Sequence, residues 1–415
     1  MSGARRDPLR RGPPVPRRAR SSGLPRSRGE VSRGALNSPF SRYCPPIGSG
    51  RLGYRPAFDG LRAVAVTLVV LFHANVSWTK GGYLGVDVFF VLSGFLITRL
   101  LLDEREQTGR TALGRFYLRR ILRLFPALVV VAIAVAIYAH GWLNPEQASR
   151  AWQDVAVTAT YRMNWARALS EVPPFGLLDH TWSLSIEEQF YVLWPLVVIG
   201  AHRLGGRWAV LSAAVVGMVA SAVLRGVWWH DGTVAHRVYY GLDTHADGLL
   251  LGCAVATITL LWPTISDATT TRLTRWLGPA ALIAVVLMGA RVGLATAGLY
   301  SWVYPIFVAL AAVVIIDIYA EGLTAAPLAT VPLVALGRIS YGLYLWHWPV
   351  FLVLNGGRLH WAFIPLTVVR LAVSLAMAVA SFFLVEQPFL RLKRRLEPAG
   401  RRSEPSFDHE AATPI

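Results

Sequence analysis

Charged residues and cysteines are scarce in this sequence. Only 16% of its 415 residues are charged, against about 25% in soluble domains, which argues against an ordinary cytosolic enzyme. The two cysteines, Cys44 and Cys253, show no spacing typical of a disulfide framework or a zinc site. We therefore expect neither a disulfide nor a bound metal.

The middle of the chain also lacks a basic binding face. Residues 1–55 hold 13 arginines and two acidic residues, so the N-terminal flank supplies most of the net charge of +17. No basic stripe with interleaved aromatic residues follows, which excludes a nucleic-acid partner. Residues 1–50 contain no apolar stretch of the kind a secretion signal needs. We interpret 1–54 as a disordered basic cytoplasmic tail and 391–415 as a basic, then polar, cytoplasmic tail.

Long apolar runs, by contrast, are abundant: 54% of the residues are hydrophobic. Ten runs approach the length of about 17–25 residues that crosses a bilayer. They cover approximately 58–77, 83–102, 121–139, 184–201, 208–226, 247–263, 276–292, 300–318, 334–355 and 364–387. The sequence therefore predicts an all-α, polytopic membrane domain at 55–390 with about ten transmembrane helices and membrane lipids around them.

The arginines between these runs predict an orientation. Five arginines lie between the second and third runs, and later alternate connections are also basic, whereas the opposite set is poorer in Lys and Arg. Because basic loops stay preferentially in the cytoplasm, both termini are predicted to be cytoplasmic. The segment 140–183 would then be extracytoplasmic, an interfacial cap whose aromatic side chains suit the membrane surface. These aromatics are Trp142, Trp152, Trp165 and Phe175.

The first apolar run contains two polar residues, Arg62 and His73. They are eleven positions apart, so on a helix they differ by about 20° in azimuth and about 16 Å in depth. Ionisable residues inside a membrane are costly and usually functional. A purely structural alternative stays open. In it, the Arg62 side chain extends to the cytoplasmic surface, and His73 forms a hydrogen bond to a neighbouring helix. Asp87, in the second run, is expected near the depth of His73, where a carboxylate would fix the imidazole tautomer.

Six motifs follow one another along the hydrophobic section. They are Arg62 and His73 with ten residues between them, the block 85–97 (GVDVFFVLSGFLI), Arg120 and Arg123 before Phe125-Pro126, the block 180–191 (HTWSLSIEEQFY), the block 336–347 (LGRISYGLYLWH), and Glu386-Gln-Pro388. In these motifs the chain resembles the acyltransferase-3 family of integral membrane acyltransferases. It looks like the form without the fused extracytoplasmic esterase-like domain of larger members.

This resemblance implies transfer of an acyl group, often acetyl, from cytoplasmic acyl-CoA to a hydroxyl of a carbohydrate or glycosylated acceptor. It implies a catalytic set of His73, Asp87, Glu187 and Glu386, with His73 as general base, and no metal. Arg62, Arg120 and Arg123 would bind acyl-CoA, because guanidinium groups suit phosphates.

Each assignment has a structural alternative. The arginines could serve only to keep their connections on the cytoplasmic side of the membrane. Glu386 could form a structural ion pair with Arg62 or with the arginine cluster. Glu187 and Glu188 fit a helix capping box that starts at Ser185. His180, Arg338 and His347 are expected to make packing hydrogen bonds. One departure stands at 243–247, where His245 occupies a position at which the family pattern suggests Arg, so His245 is left out of the catalytic set.

We predict an acyltransferase in the cytoplasmic membrane of a bacterium, acting on an envelope carbohydrate, a glycolipid or a glycosylated metabolite. Two alternatives are a proton-coupled transporter, which also carries buried ionisable residues, and a catalytically silent scaffold. Transporters usually show inverted repeats, and none is evident here. Homo-oligomerisation stays open.

Overall fold

A computed structural model describes residues 52–170, 176–229, 235–263, 275–296 and 298–395, without the side chains of residues 358 and 393–395. The two predicted tails lie outside these residues, apart from 52–54 and 391–395, and so does Phe175. The described residues are helices and connections, with no strand among them. This confirms the all-α prediction.

Between Pro56 and Leu261 the described residues form nine helices. They are α1 (Pro56–His73), α2 (Gly85–Thr108), α3 (Leu113–Trp142), α4 (Pro145–Ala159), α5 (Met163–Ala168), α6 (Trp182–Trp228), α7 (Ala235–Tyr240), α8 (Leu242–His245) and α9 (Asp247–Leu261). Short 3₁₀ turns precede α2 and α6.

The second half forms eight more in the described residues. They are α10 (Leu277–Arg291), α11 (Tyr304–Tyr319), α12 (Ala325–Leu328), α13 (Val331–Arg338), α14 (Ser340–Val353), α15 (Gly356–Leu359), α16 (Phe363–Ser381) and α17 (Gln387–Arg395). Phe382–Glu386 is a π-helical turn that joins α16 to α17.

Within the part of the chain that the structure describes, six helical segments are long and apolar enough to cross a membrane. They are Pro56–His73, Gly82–Thr108, Leu113–Trp142, Asp179–Trp228, Leu299–Tyr319 and Phe363–Leu392. The helices α9 and α10 are apolar but shorter. All ten apolar runs of the sequence fall on helices, and the protein is an all-α, polytopic membrane protein.

The fourth and fifth apolar runs share one long segment, α6, which is broken in the middle. Gly205 and Gly206 have non-helical backbone angles there, and Gly206 has a φ of 64°, which favours glycine. Two helical stretches therefore follow each other across a kink, consistent with two predicted runs.

Glycine also allows a close helix contact that positions the site. A Cβ atom on Gly337, near the end of α13, would overlap the backbone carbonyl of Asp59 in α1. Because glycine has no side chain, α13 lies directly against α1. This contact brings the side chain of Arg338 to the first turn of α1.

The predicted cap, 140–183, contains the short helices α4 and α5. Asn144 caps α4, since its side-chain oxygen accepts a hydrogen bond from the backbone N–H of Gln147 at 2.9 Å. Trp142 and Trp152 are exposed, whereas the indole N–H of Trp165 donates to Gln189 at 3.0 Å. The cap is thus tied to α6 through Trp165.

Candidate active site

One cavity collects most of the residues predicted to function. Its polar lining includes Arg62, Arg120, Arg123, Glu187 and Glu386 together with Tyr54, Asp59, Ser93, Ser183, Arg338 and Tyr344. Along α2 the lining extends from Val86 to Leu100, fourteen positions that correspond to about 21 Å of helix. The cavity is therefore long, with one end near the start of α1 and the other near the start of α6.

Four guanidinium groups mark the first of these ends, which we call the arginine end; they belong to Arg62, Arg120, Arg123 and Arg338. Arg62 forms an ion pair with Asp59 at 2.5 Å. The other carboxylate oxygen of Asp59 accepts a hydrogen bond from the Tyr54 hydroxyl at 2.8 Å, and Arg338 donates to that hydroxyl at 3.2 Å. Two of the guanidinium groups are therefore held in place by a shared network.

Arg120 and Arg123 lie on one side of α3, because residues three apart are neighbours on a helix surface. The guanidinium of Arg120 lies 4.6 Å from the centre of the Tyr191 ring and 5.9 Å from that of Phe116. Arg120 makes no hydrogen bond or ion pair with other residues in the described ranges. Its N–H groups thus have spare capacity for a ligand in the cavity.

The two predicted glutamates also line the cavity. Glu187 accepts a hydrogen bond from the Ser93 hydroxyl at 2.8 Å. The capping-box interpretation of this region is wrong, because α6 begins at Trp182 and the Ser185 hydroxyl donates back to the carbonyl of Thr181 at 3.1 Å. Glu187 is therefore inside the helix and points to α2.

Glu386 lies in the π-helical turn before α17 and is buried. Its one hydrogen bond is a long contact of 3.5 Å with the Ser381 hydroxyl. It forms no ion pair within 4.0 Å in the part of the chain described, so the expected pairing with Arg62 is not found.

The opposite end of the cavity, lined by Val86, Phe90, Ser183 and Tyr344, we call the histidine end. Tyr344 separates it from two histidines. The Tyr344 hydroxyl donates to the carbonyl of His180 at 2.6 Å and accepts from Ser183 at 2.6 Å. The ring of Tyr344 packs on His347 with ring centres 5.6 Å apart. The cavity therefore ends one side chain away from the His347 imidazole.

His73, the last residue of α1, contacts His347 of α14. The distance from His347 Nε2 to His73 Nδ1 is 3.0 Å. His347 Nδ1 donates to the carbonyl oxygens of Tyr344 at 2.7 Å and Leu343 at 3.2 Å. In a neutral His347, Nε2 is therefore an acceptor, and His73 Nδ1 must carry the proton between them. This hydrogen-bond pattern assigns an unprotonated Nε2 to His73.

His180 completes a cluster of three imidazoles. Its Nε2 donates to the carbonyl of Leu345 at 3.1 Å, and its ring centre is 5.5 Å from that of His347. Its Nδ1 is buried without a hydrogen-bond partner in the described structure. The expected backbone hydrogen bonds of His180 and His347 are thus present, but His347 has an additional contact with His73.

Asp87 does not bind His73, so that expectation is wrong. One oxygen of Asp87 lies 2.9 Å from His245 Nε2, and the other accepts from the Tyr304 hydroxyl at 2.7 Å. His245 Nδ1 also contacts the carbonyl of Tyr239 at 2.5 Å. All three side chains are almost fully buried. His245, which departs from the family pattern, is the residue that Asp87 binds.

The described residues hold no group of three or more His, Cys, Asp and Glu side chains arranged for a metal ion. What they do hold is an elongated, arginine-rich cavity in a polytopic helical membrane protein, with a histidine pair just beyond its far end. Such an arrangement can bind an extended anionic molecule and supply an imidazole base.

Residues 55–385 match the family model described as an acyltransferase domain. The chain belongs to the acyltransferase-3 family.

Curated relatives are similar over part of the chain. It is 42% identical over 217 residues to the peptidoglycan O-acetyltransferase OatA of Listeria monocytogenes, a match that covers 51% of this chain and 34% of that protein. It is 38% identical over 217 residues to a putative peptidoglycan O-acetyltransferase, YrhL, of Bacillus subtilis, again 51% of this chain and 34% of that protein. The O-acetyltransferase OatA of Staphylococcus aureus is 38% identical over 216 residues, with 51% and 35% covered.

The chain therefore spans about a third of the length of the curated relatives it matches. No solved structure matches it. The family match supports the acyltransferase interpretation and gives no support to the transporter alternative.

Proposed function

We propose that this protein is a membrane O-acyltransferase that moves an acetyl group from acetyl-CoA to a hydroxyl of a cell-envelope glycan. The observation that carries the proposal is the cavity itself. It joins four guanidinium groups at one end to a closed end beside the His73–His347 pair. Family membership and the peptidoglycan O-acetyltransferase relatives support the same reaction.

The arginine end is the proposed donor site. Phosphates bind guanidinium groups through paired, charge-assisted hydrogen bonds, and Arg120 has donor groups to offer. Four guanidiniums face three carboxylates in the cavity, Asp59, Glu187 and Glu386, so its ionised side chains carry a net positive charge. The extended pantetheine arm of the donor would then lie along α2 towards the histidine end.

His73 is the proposed general base. Its Nε2 would take the proton of the acceptor hydroxyl as that oxygen attacks the thioester carbonyl. The C–S bond then breaks, and the proton on His73 passes to the leaving thiolate to give free CoA. His347 would hold His73 in the reactive tautomer throughout. Tyr344 lies between the cavity and this pair, so its side chain must move aside for the thioester to reach His73.

The sidedness follows from the basic connections. With the arginine end in the cytoplasm, the donor would enter from the inside, and His73 would lie near the outer surface beneath the cap. A glycan outside the membrane could then approach His73 from the side opposite the donor. Relatives named for peptidoglycan O-acetylation support a peptidoglycan acceptor.

The test is acetyl transfer by the purified protein in liposomes. Labelled acetyl-CoA and soluble peptidoglycan fragments are supplied, and ester-linked acetyl on the fragments is measured with free CoA. We expect equal amounts of both products. CoA release without acetylated fragments would contradict the peptidoglycan acceptor, and no turnover of acetyl-CoA would contradict the proposed donor.

The orientation is tested by labelling intact cells with a membrane-impermeant thiol reagent. In a variant without the native cysteines, Thr160→Cys at the exposed end of α4 should react from outside. The matched control is Gln107→Cys, at the exposed far end of α2, which should react only after permeabilisation. The reverse pattern would contradict the orientation.

A further inference from the structure

The cap helix α4 is fastened to the segment 176–181, which leads into α6. The Thr158 hydroxyl lies 2.9 Å from that of Thr181, and the Thr181 hydroxyl donates to the carbonyl of Leu178 at 2.7 Å. Asp154 of α4 accepts a hydrogen bond from the backbone N–H of Leu178 at 3.2 Å. Two buried polar side chains of α4 thus hold one short segment of backbone.

That same segment reaches the proposed catalytic histidine through Trp348. The indole N–H of Trp348 donates to the carbonyl of Gly176 at 2.9 Å. The Trp348 ring packs edge-on against the His73 ring, with ring centres 4.8 Å apart. The Trp348 ring therefore packs against His73 in addition to His347, and the backbone of Gly176 holds the Trp348 ring in place.

Asp154 is an unusual residue to place in such a support. It is only 4% exposed, and a carboxylate is costly to bury without a cation. Arg167, in the neighbouring helix α5, is already paired with Asp179 at 2.8 Å. Gly176 lies directly against the Asp154 carboxylate, where a Cβ atom would overlap it. The Asp154 carboxylate therefore packs directly against the backbone of the 176–178 segment.

We propose that Asp154 is a positioning residue for the acyl transfer: it fixes the segment 176–178, the segment fixes Trp348, and Trp348 holds the His73 ring in place. This inference rests on the proposed function, since it assumes that His73 reacts. It adds a residue of the cap to those that set the rate of acyl transfer, although Asp154 itself is neither part of the cavity lining nor in contact with His73.

The experiment compares Asp154→Ala and Trp348→Phe in the liposome assay, with rates normalised to folded protein. Phe keeps an aromatic ring but loses the N–H that binds Gly176. We expect each variant to lower kcat by up to about 100-fold, the loss that a misplaced reacting group can cause, with the KM for acetyl-CoA unchanged. Because both changes break one chain of contacts, the double variant should be no slower than the slower single variant.

Matched controls separate positioning from general loosening of the cap. Val155→Ala weakens the packing of the same helix, α4, and Trp165→Phe removes an indole N–H that binds Gln189 instead. Both should keep the normal kcat. Asp154→Asn should also keep it, since the amide oxygen can accept from Leu178.

A normal kcat in Asp154→Ala and Trp348→Phe would overturn the inference, and so would an equal loss in Val155→Ala. In either case an active wild type would leave the proposed function standing. An inactive wild type would overturn the proposed function, and the role of Asp154 in it would fall as well.

Discussion

His347 Nε2 lies 3.0 Å from His73 Nδ1, although 274 positions separate the two residues in the chain. The backbone carbonyls of Leu343 and Tyr344 accept hydrogen bonds from His347 Nδ1–H. One turn of α14 thereby sets the tautomer of an imidazole on α1. The pair is the structural basis of the proposed base catalysis.

The first prediction concerns this orienting role. His347→Ala should lower kcat by about 10- to 100-fold, because His73 then loses the acceptor that holds its proton on Nδ1. The KM for acetyl-CoA should not change, since the arginine end is untouched. Steady-state kinetics on folded protein would measure both. A raised KM with a normal kcat would contradict an orienting role.

A second prediction concerns the donor phosphates. Arg120→Ala should raise the KM for acetyl-CoA by about 10- to 100-fold, because a hydrogen bond to a charged group contributes about 1.5–3 kcal/mol. The maximal rate should change less, since the phosphates are remote from the reacting carbon. Arg120→Lys should restore part of the affinity.

Arg119 provides the matched control for this prediction. It is the neighbouring arginine on α3 and does not line the cavity. Arg119→Ala should therefore keep the normal KM. An equal effect of both substitutions would indicate general surface charge rather than a phosphate site in the cavity.

The third prediction separates Asp87 from the chemistry. Its carboxyl group is buried and hydrogen-bonded to His245 and Tyr304, and removing one partner of a buried hydrogen bond costs about 1–3 kcal/mol for each group left unsatisfied. Asp87→Ala should therefore lower the thermal stability and the yield strongly, while the rate per folded molecule falls much less than in a His73 variant. A stable Asp87→Ala protein with no activity would return Asp87 to the catalytic set.

The fourth prediction concerns pH and the cap. Burial raises the pKa of the Asp154 carboxyl to about 6, above the value of about 3.9 that an aspartate has in an unfolded chain. The folded state therefore binds a proton that the unfolded state has already released, so this group lowers stability as pH rises from about 4 to about 6, by about 3 kcal/mol in all.

Asp154→Asn cannot ionise and should remove this dependence. Its thermal midpoint should exceed that of the wild type at pH 7.5, and the two should converge near pH 4. Thermal unfolding in detergent across that pH range provides the measurement. A lower midpoint of Asp154→Asn at pH 7.5 would show that the charged carboxylate stabilises the cap.

Much of the architecture could be predicted from the sequence, because long apolar runs indicate membrane helices. Family motifs also identified the residues that line the cavity, such as Arg120 and Glu386. Their separation along the chain gave no indication that they share one cavity. Helix-to-helix contacts depend on packing between distant segments, which local periodicity does not encode.

Partnerships between polar residues were predicted least well. Asp87 was expected beside His73, yet the structure pairs it with His245, 158 positions further along the chain. The mismatch at His245 was the available signal: a histidine in place of an expected cation can still bind a carboxylate. His347 belongs to the block 336–347, but nothing in that block indicates that it contacts the end of α1.

The substitution His73→Gln tests whether His73 is the base for acyl transfer. Glutamine keeps a polar side chain but does not accept a proton at neutral pH. With the rate normalised to folded, liposome-reconstituted protein, we expect a kcat lowered by about 10²- to 10⁴-fold, the usual contribution of a general base, and an unchanged affinity for acetyl-CoA. A near-normal kcat in His73→Gln would show that His73 is not the base and would remove it from the mechanism.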